Sequence, residues 1–324
     1  MEVGLLRTNK KVFILGAGPA GISLSYYLSK LGIKNIVFEA RNIVGGMARS
    51  WHWNDFIVDT GPHILHTDDK EIWDLWGSFL GENLIEGNFY SGNSKTIKNK
   101  NFLFDYPLNI NQIKNIEAWT NDELKEITNE LNSSKSEDSL GNASSFREYI
   151  QHLVGNKLEK TFFRYYPQKV WGIPTNEMLP DWAPKRIRIC KSRETFYRGE
   201  YCGISSKGTG YLMNRIKDES SRLHSEFHLS RKVIGLSQDN NLITGIKTLD
   251  KNTKSEFFPL EENDLVINTL PITTVSNMLG NNINITFRGI ASLYVEFTNS
   301  KNTKILPEDF NWLYFGDQKN NFNR

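Results

Sequence analysis

The sequence predicts an α/β protein: a Rossmann-like dinucleotide-binding domain interrupted by an inserted, mainly helical region. Three observations lead there. An apolar run, Val12-Phe13-Ile14-Leu15, enters a G-x-G-x-x-G turn at Gly16, Gly18 and Gly21. The next apolar run ends on an acid, Glu39. Strand-like patterns then give way to helical ones and return only after residue 230.

Each element follows from local pattern. Residues 11–16 and 35–39 read as parallel strands, joined by a helix over about 19–31 whose Ile22, Leu24, Leu28 and Leu31 recur near helical spacing and which Gly32 ends. Gly16 permits the tight turn, Gly18 lets a backbone approach a pyrophosphate, and Gly21 lets the helix close on the sheet. Pro19 and Ala20 open the helix, whose positive N-terminal end suits phosphate, while Glu39, followed by Ala40, can accept from ribose hydroxyls.

From Lys70 to Leu84 the residues Ile72, Trp73, Leu75, Trp76, Phe79 and Leu80 form a helical stripe, and aromatic-rich helical segments continue to about Tyr166. Asn129–Ser145, rich in Asn, Ser, Asp and Gly, reads as a surface loop. Strands are expected again at Val233–Leu236, Leu242–Thr248 and Leu265–Asn268. The dinucleotide domain is therefore discontinuous, at 10–68 and 205–275, with the cap region at 69–204 and 276–324.

Composition excludes several classes. At 324 residues the chain has room for about two domains at roughly 150 residues each. Its 39 basic and 37 acidic residues leave a net charge of +2, no basis for a nucleic-acid partner. Two cysteines, Cys190 and Cys202, lack metal-ligand spacing and suit a reducing compartment. No run approaches the roughly 20 apolar residues of a spanning helix, and residues 1–10 lack a signal-peptide core, so the chain reads as cytoplasmic. His63 and His66 have no third partner in sequence, and no metal is expected.

A second glycine motif narrows the cofactor. Gly45-Gly46-Met47-Ala48-Arg49 is a G-G-x-x-R shortly after Glu39 and resembles the turn that touches the FAD pyrophosphate in the amine-oxidase superfamily. The resemblance implies FAD, a fold of the GR2 flavoprotein type, and a guanidinium at Arg49 for charge-assisted bonds. Arg231-Lys232-Val233-Ile234-Gly235-Leu236 is similar to the strand whose valine backbone contacts adenine there.

Within that superfamily the chain resembles prokaryotic UDP-galactopyranose mutases over about residues 11–210. Gly61-Pro62-His63-Ile64-Leu65-His66-Thr67 is similar to a segment beside the flavin ring, which implies Gly61 and Pro62 at the cofactor and a catalytic part for His63. Tyr106-Pro107-Leu108-Asn109 and Ser145-Phe146-Arg147-Glu148 continue the likeness. Phe162-Phe163-Arg164-Tyr165-Tyr166-Pro167-Gln168-Lys169-Val170-Trp171-Gly172 resembles the family's substrate segment, although Pro167 and Val170 replace Thr and Gln. It implies that Phe162 and Tyr166 bracket uracil and that Trp171 belongs to a mobile lid. In the basic run Lys185, Arg186, Arg188, Lys191, Arg193 and Arg198, the likeness places Arg186 on the substrate diphosphate, with a catalytic share.

These expectations describe a flavin enzyme acting on a nucleotide-linked sugar, with a UDP-sugar as small-molecule partner, no membrane span and self-association left open. Segments such as Asp264–Pro271 and Trp312–Asp317 look more like protoporphyrinogen-oxidase-like flavoproteins. An oxidoreductase of that or the amine-oxidase type, or an inactive shortened relative, stays open as an alternative. The resemblance also leads one to expect a further flavin-closing segment beyond Arg324.

Overall fold

The computed structural model describes residues 10–134, 143–183, 187–296 and 310–324. The chain begins with β1 (Val12–Leu15), α1 (Pro19–Lys30), β2 (Asn35–Phe38), β3 (Ser50–Trp53), β4 (Phe56–Asp59), β5 (Leu65–Thr67), α2 (Lys70–Leu80) and β6 (Leu84–Glu86). It continues with β7 (Ser91–Ile97), β8 (Lys100–Tyr106), β9 (Leu108–Asn109), α3 (Ile110–Asn115), α4 (Asn121–Asn132), α5 (Phe146–Leu158) and α6 (Tyr165–Trp171). Then follow β10 (Ile189–Cys190), β11 (Tyr201–Ser205), α7 (Thr209–Arg222), β12 (Glu226–His228), β13 (Arg231–Asp239), β14 (Leu242–Asp250), β15 (Ser255–Pro259), β16 (Leu265–Asn268), α8 (Ile272–Met278) and β17 (Trp312–Phe315).

Two compact units result, one comprising the chain up to Gly87 with Glu200–Tyr294, the other Asn88–Gly199 with Val295–Arg324. In the first, a parallel sheet of order β12-β2-β1-β16 forms the centre. All four residues of β1 are buried, as a strand covered on both faces requires. One face packs Ile14, Ile22, Val37, Leu212 and Ile216, and the other packs Phe13, Leu15, Phe38, Val233 and Ile246. A buried polar seam joins α1 to the sheet: Ser25 Oγ donates to Asn35 Oδ1 at 2.6 Å, and Asn35 Nδ2 to Ser29 Oγ at 3.0 Å. Pairing these groups avoids the cost of about 1–3 kcal/mol for each buried polar group left unsatisfied.

Several expectations shift in detail. The helix expected from 70 to 84 ends at Leu80, because Gly81 turns the backbone to φ 54°, and Leu84 starts β6 instead. Trp73 and Leu80 of α2 pack into the core of the first unit, so α2 belongs with the dinucleotide fold rather than with the cap. Its amphipathic stripe specifies burial but not the surface that receives it. Asn129–Asn132 are helical and complete α4, which Thr120 and Glu123 open with a capping box; residues 135–142 of the expected loop lie outside the described residues.

The second unit is built on helices, with core residues Phe146, Ile150, Val154, Leu158, Phe162 and Phe163. It also carries a sheet of order β17-β7-β8 that periodicity left unread. The β7 sequence Ser-Gly-Asn-Ser-Lys-Thr-Ile has no apolar alternation, because buried Ser91, Asn93 and Lys95 occupy its inward positions.

Candidate functional site

In the first unit, the turn after β1 places Gly16 at φ 102°, and α1 starts at Pro19 with Gly18 as an N-cap that offers no side chain. No side chain caps the first N–H groups of α1, the arrangement that favours an anion. A Cβ at Gly18 would meet nothing within 4 Å, whereas one at Gly21 would lie 2.0 Å from the Gly16 carbonyl oxygen. Gly18 therefore leaves space over the helix end. Gly21 closes the helix onto the turn. Pro19 and Ala20 are exposed on the first turn.

The second glycine turn sits on the first. Gly45 N–H donates to Ala17 O at 2.8 Å, and a Cβ on Gly46, itself at φ 54°, would lie 3.0 Å from Gly18 Cα. Arg49 Nη1 donates to Gly46 O at 2.6 Å, which holds the half-buried guanidinium against this pair of turns. Met47 projects outward, 62 % exposed. Glu39 accepts from Ala17 N–H at 3.0 Å and from Arg41 N–H at 2.9 Å, so its carboxylate is fixed level with the turn. Ala40 beside it is exposed. Val233 points into the core with Phe13, Leu15 and Phe38, and the ladder slips between Val233 and Gly235. Open space at Gly18, unpaired helix N–H groups and a fixed cation together fit a dinucleotide pyrophosphate.

A polar cluster the sequence reading did not single out lies on β4. Asp59 accepts from Thr209 N–H at 3.2 Å, from Thr209 Oγ1 at 2.6 Å and from Ser50 Oγ. Thr209 is the first residue of α7, and Gly210 lets that helix end approach, since a Cβ there would lie 2.4 Å from Ser50 N. Burial opposes ionisation of Asp59, but the neighbouring His63, Ser50 and Thr209 outweigh it and hold the carboxyl below its ordinary range. His63 Nδ1 lies 3.6 Å from Asp59 Oδ2, which is too long for a hydrogen bond, and is buried without a hydrogen-bond partner. Tyr294 donates its hydroxyl to Asp59 O, and the same burial with the Asp59 charge pushes the Tyr294 phenol up. Gly61 lies under Ser292 and Pro62 is exposed. The signal in sequence was the acid four residues before His63, on a strand end.

His66 has a separate partner, Glu200, at 2.5 Å. Burial pushes Cys202 on the adjoining strand up to about 11, so it is an unreactive thiol at neutral pH. Among the described residues no group of three or more His, Cys, Asp or Glu could hold a metal.

In the second unit, Tyr166 stands edge-on to Tyr314 at 5.4 Å, and Trp171, 44 % exposed, ends α6 just before the left-handed Gly172. Phe162 is 2 % exposed and edge-on to Phe104 at 4.8 Å. A ring so enclosed presents no face to a nucleobase in this structure. Its expected stacking role is therefore corrected to core packing: the π-helical turn Glu159–Phe163 rotates both phenylalanines inward. Arg186, with Lys185, lies outside the described residues. Elsewhere in the basic run, Arg188 donates to Thr195 O and Phe196 O, and Arg193 lies 4.8 Å from the Tyr90 and Phe310 rings. These two cations are engaged in structure. Lys169, also unforeseen, donates to the carbonyls of Phe315, Asn320 and Phe322 at 2.7–3.0 Å, fastening the segment after β17 to α6.

Residues 14–79 match the family model of an NAD(P)-binding Rossmann-like domain. The chain is 26 % identical over 230 residues to a dTDP-fucopyranose mutase of Escherichia coli, covering 69 % of this chain and 57 % of that protein. A probable UDP-galactopyranose mutase of Klebsiella pneumoniae is also 26 % identical over 230 residues, covering 68 % and 56 %. The chain thus spans a little over half the length of these relatives. A crystal structure of reduced UDP-galactopyranose mutase superposes with a TM-score of 0.66 at 21 % identity, over 83 % of this chain and 57 % of that one. No helix among the described residues is long and apolar enough to cross a membrane. The chain therefore has a Rossmann-like α/β fold shared with UDP-galactopyranose mutase and resembles pyranose mutases in sequence.

Proposed function

We propose that this chain belongs to an FAD-dependent enzyme of the pyranose-mutase type, acting on a nucleotide-linked sugar. The observation that carries the proposal is the seating of the Gly45-Gly46 turn, with Arg49, directly on Gly18. A simple NAD turn needs no second glycine pair, whereas a pyrophosphate shared between two turns does. Similarity to two mutases over 230 residues supports the substrate class.

In this reading the N-terminus of α1 and Arg49 hold the FAD pyrophosphate, and Glu39 accepts from the ribose. Val233 offers its backbone to the adenine, and Gly61, Pro62 and His63 border the ring. Reduced FAD supplies a nucleophile able to act at an anomeric carbon. The chain's own residues orient the partners: Tyr166 stacks on the base, Trp171 covers it, and Arg186 grips the diphosphate in bidentate fashion. His63 presents an imidazole at the reacting centre.

The test is incubation of the purified chain with FAD, a reductant and UDP-galactopyranose or dTDP-fucopyranose, with the product resolved chromatographically. A ring-contracted isomer with no net oxidation is expected. Flavin bleaching by an oxidisable substrate, with neither isomerisation nor nucleotide-sugar binding, would replace the mutase reading by the oxidoreductase one.

A further inference from the structure

The Asp59 carboxylate is more firmly held than a surface acid needs to be. Ser50 Oγ, Thr209 N–H and Thr209 Oγ1 converge on it at the N-terminal end of α7, where Gly210 N–H in turn donates to Ser50 Oγ, and the positive end of the helix favours negative charge. Ser50 Oγ reaches Oδ1, while Thr209 Oγ1 and Thr209 N–H reach Oδ2, the oxygen that also faces His63. There His63 Nδ1 stands at 3.6 Å, enclosed by protein and with no hydrogen-bond partner.

The imidazole has two neutral forms. With a bare Nδ1, a lone pair would face a fixed anion across a few ångströms of protein. With Nδ1 protonated, the N–H dipole points at the charge. The ring is about a third exposed but its Nδ1 edge is buried, and at that edge the sign of the charge–dipole contact favours the protonated form.

We infer that Asp59 is a positioning residue that fixes His63 as its Nδ1–H tautomer and leaves Nε2 as the hydrogen-bond acceptor. In this arrangement Asp59 acts through His63. The acceptor Nε2 then suits a ligand atom that carries a proton, and would reject one that offers only a lone pair. The consequence for catalysis rests on the proposed placement of His63 beside FAD, whereas the tautomer itself does not.

The experiment is long-range ¹H–¹⁵N correlation on the full chain labelled at histidine, first without and then with FAD. The sequence contains six histidines, and the His63→Gln variant identifies the resonance that belongs to His63. A protonated Nδ1 with a bare Nε2 is expected in the cofactor-free chain. In Asp59→Asn the excess of Nδ1–H over Nε2–H should fall by about tenfold, the loss of one charge–dipole contact in a partly buried site. A bare Nδ1 in the unmodified chain, or an unchanged ratio in Asp59→Asn, would overturn the inference. Should Asp59→Asn fail to fold, Thr209→Val removes the hydroxyl that competes for Oδ2, keeps the charge, and should raise the excess of Nδ1–H; an unchanged or lower excess would overturn the inference. Because the first measurement is made without cofactor, a chain that fails to bind FAD still reports the tautomer.

Discussion

Gly18 and Gly21 lie three residues apart in one motif, yet their alanine variants should fail in different ways. At Gly21 a Cβ would be placed 2.0 Å from the Gly16 carbonyl oxygen, a backbone atom that cannot swing aside, so the turn and α1 must separate by more than an ångström. Ile14, Leu15 and Ile22, all with no exposed surface, flank that joint and would lose contact. Overpacking of this kind costs about 1–3 kcal/mol and more where backbone must move, and we expect at least 2 kcal/mol. With an m-value of about 2 kcal/mol per M, the urea midpoint should fall by about 1 M. At Gly18 the backbone is extended (φ −74°, ψ 179°) and a Cβ meets nothing within 4 Å, so Gly18→Ala should unfold like the parent. Its methyl group instead occupies the space over the helix end. FAD affinity, read by flavin fluorescence titration, should drop about tenfold or more, equivalent to about 1.4 kcal/mol. An unshifted midpoint in Gly21→Ala would refute the packing argument. Unaltered FAD affinity in Gly18→Ala would refute the placement of the pyrophosphate.

Other consequences follow from the same geometry. Phe162→Ala should cost about 3–5 kcal/mol as a buried ring lost from the core, measured by urea unfolding, while Tyr166→Ala should lower nucleotide affinity with a smaller stability loss. Glu159 is 1 % exposed and accepts from Arg164 Nη2 at 2.5 Å and Arg164 Nε at 3.1 Å. Glu159→Ala should cost about 1–3 kcal/mol, the loss of charge-assisted bonds to a guanidinium that is itself about a quarter exposed, and a denaturation midpoint equal to the parent's would contradict that. Asp59 has a folded pKa below its unfolded value of 3.8, so its contribution is fully present above pH 3.8 and is lost as pH falls through the folded value. Asp59→Asn should therefore flatten the acid limb of a stability–pH curve below pH 3.8 and leave the slope above it unchanged.

Much of the first unit was legible because its signals are local. Strand, glycine turn, helix and acid follow one another within 28 residues, from Val12 to Glu39, and each is specified by neighbours in sequence. β16 at Leu265–Asn268 was read with the same bounds for the same reason. The β7–β8 hairpin escaped, since its buried positions hold Ser91, Asn93 and Lys95, and apolar periodicity cannot register polar residues turned inward. Phe162 failed in the opposite direction. Its motif suggested a ligand face, but the π-helical turn that points the ring into the core depends on packing against Phe104, a partner 58 positions away.

By itself the sequence determined the Rossmann turn, the order of its first elements and the second glycine pair, because backbone conformation and apolar periodicity are properties of adjacent residues. Only the tertiary structure decided that Gly46 lies against Gly18, that α2 joins the first unit, and that Thr209 and Ser50 reach across the chain to clamp Asp59 beside His63. Those contacts join residues up to 150 positions apart, and their existence depends on which surfaces the folded chain brings together.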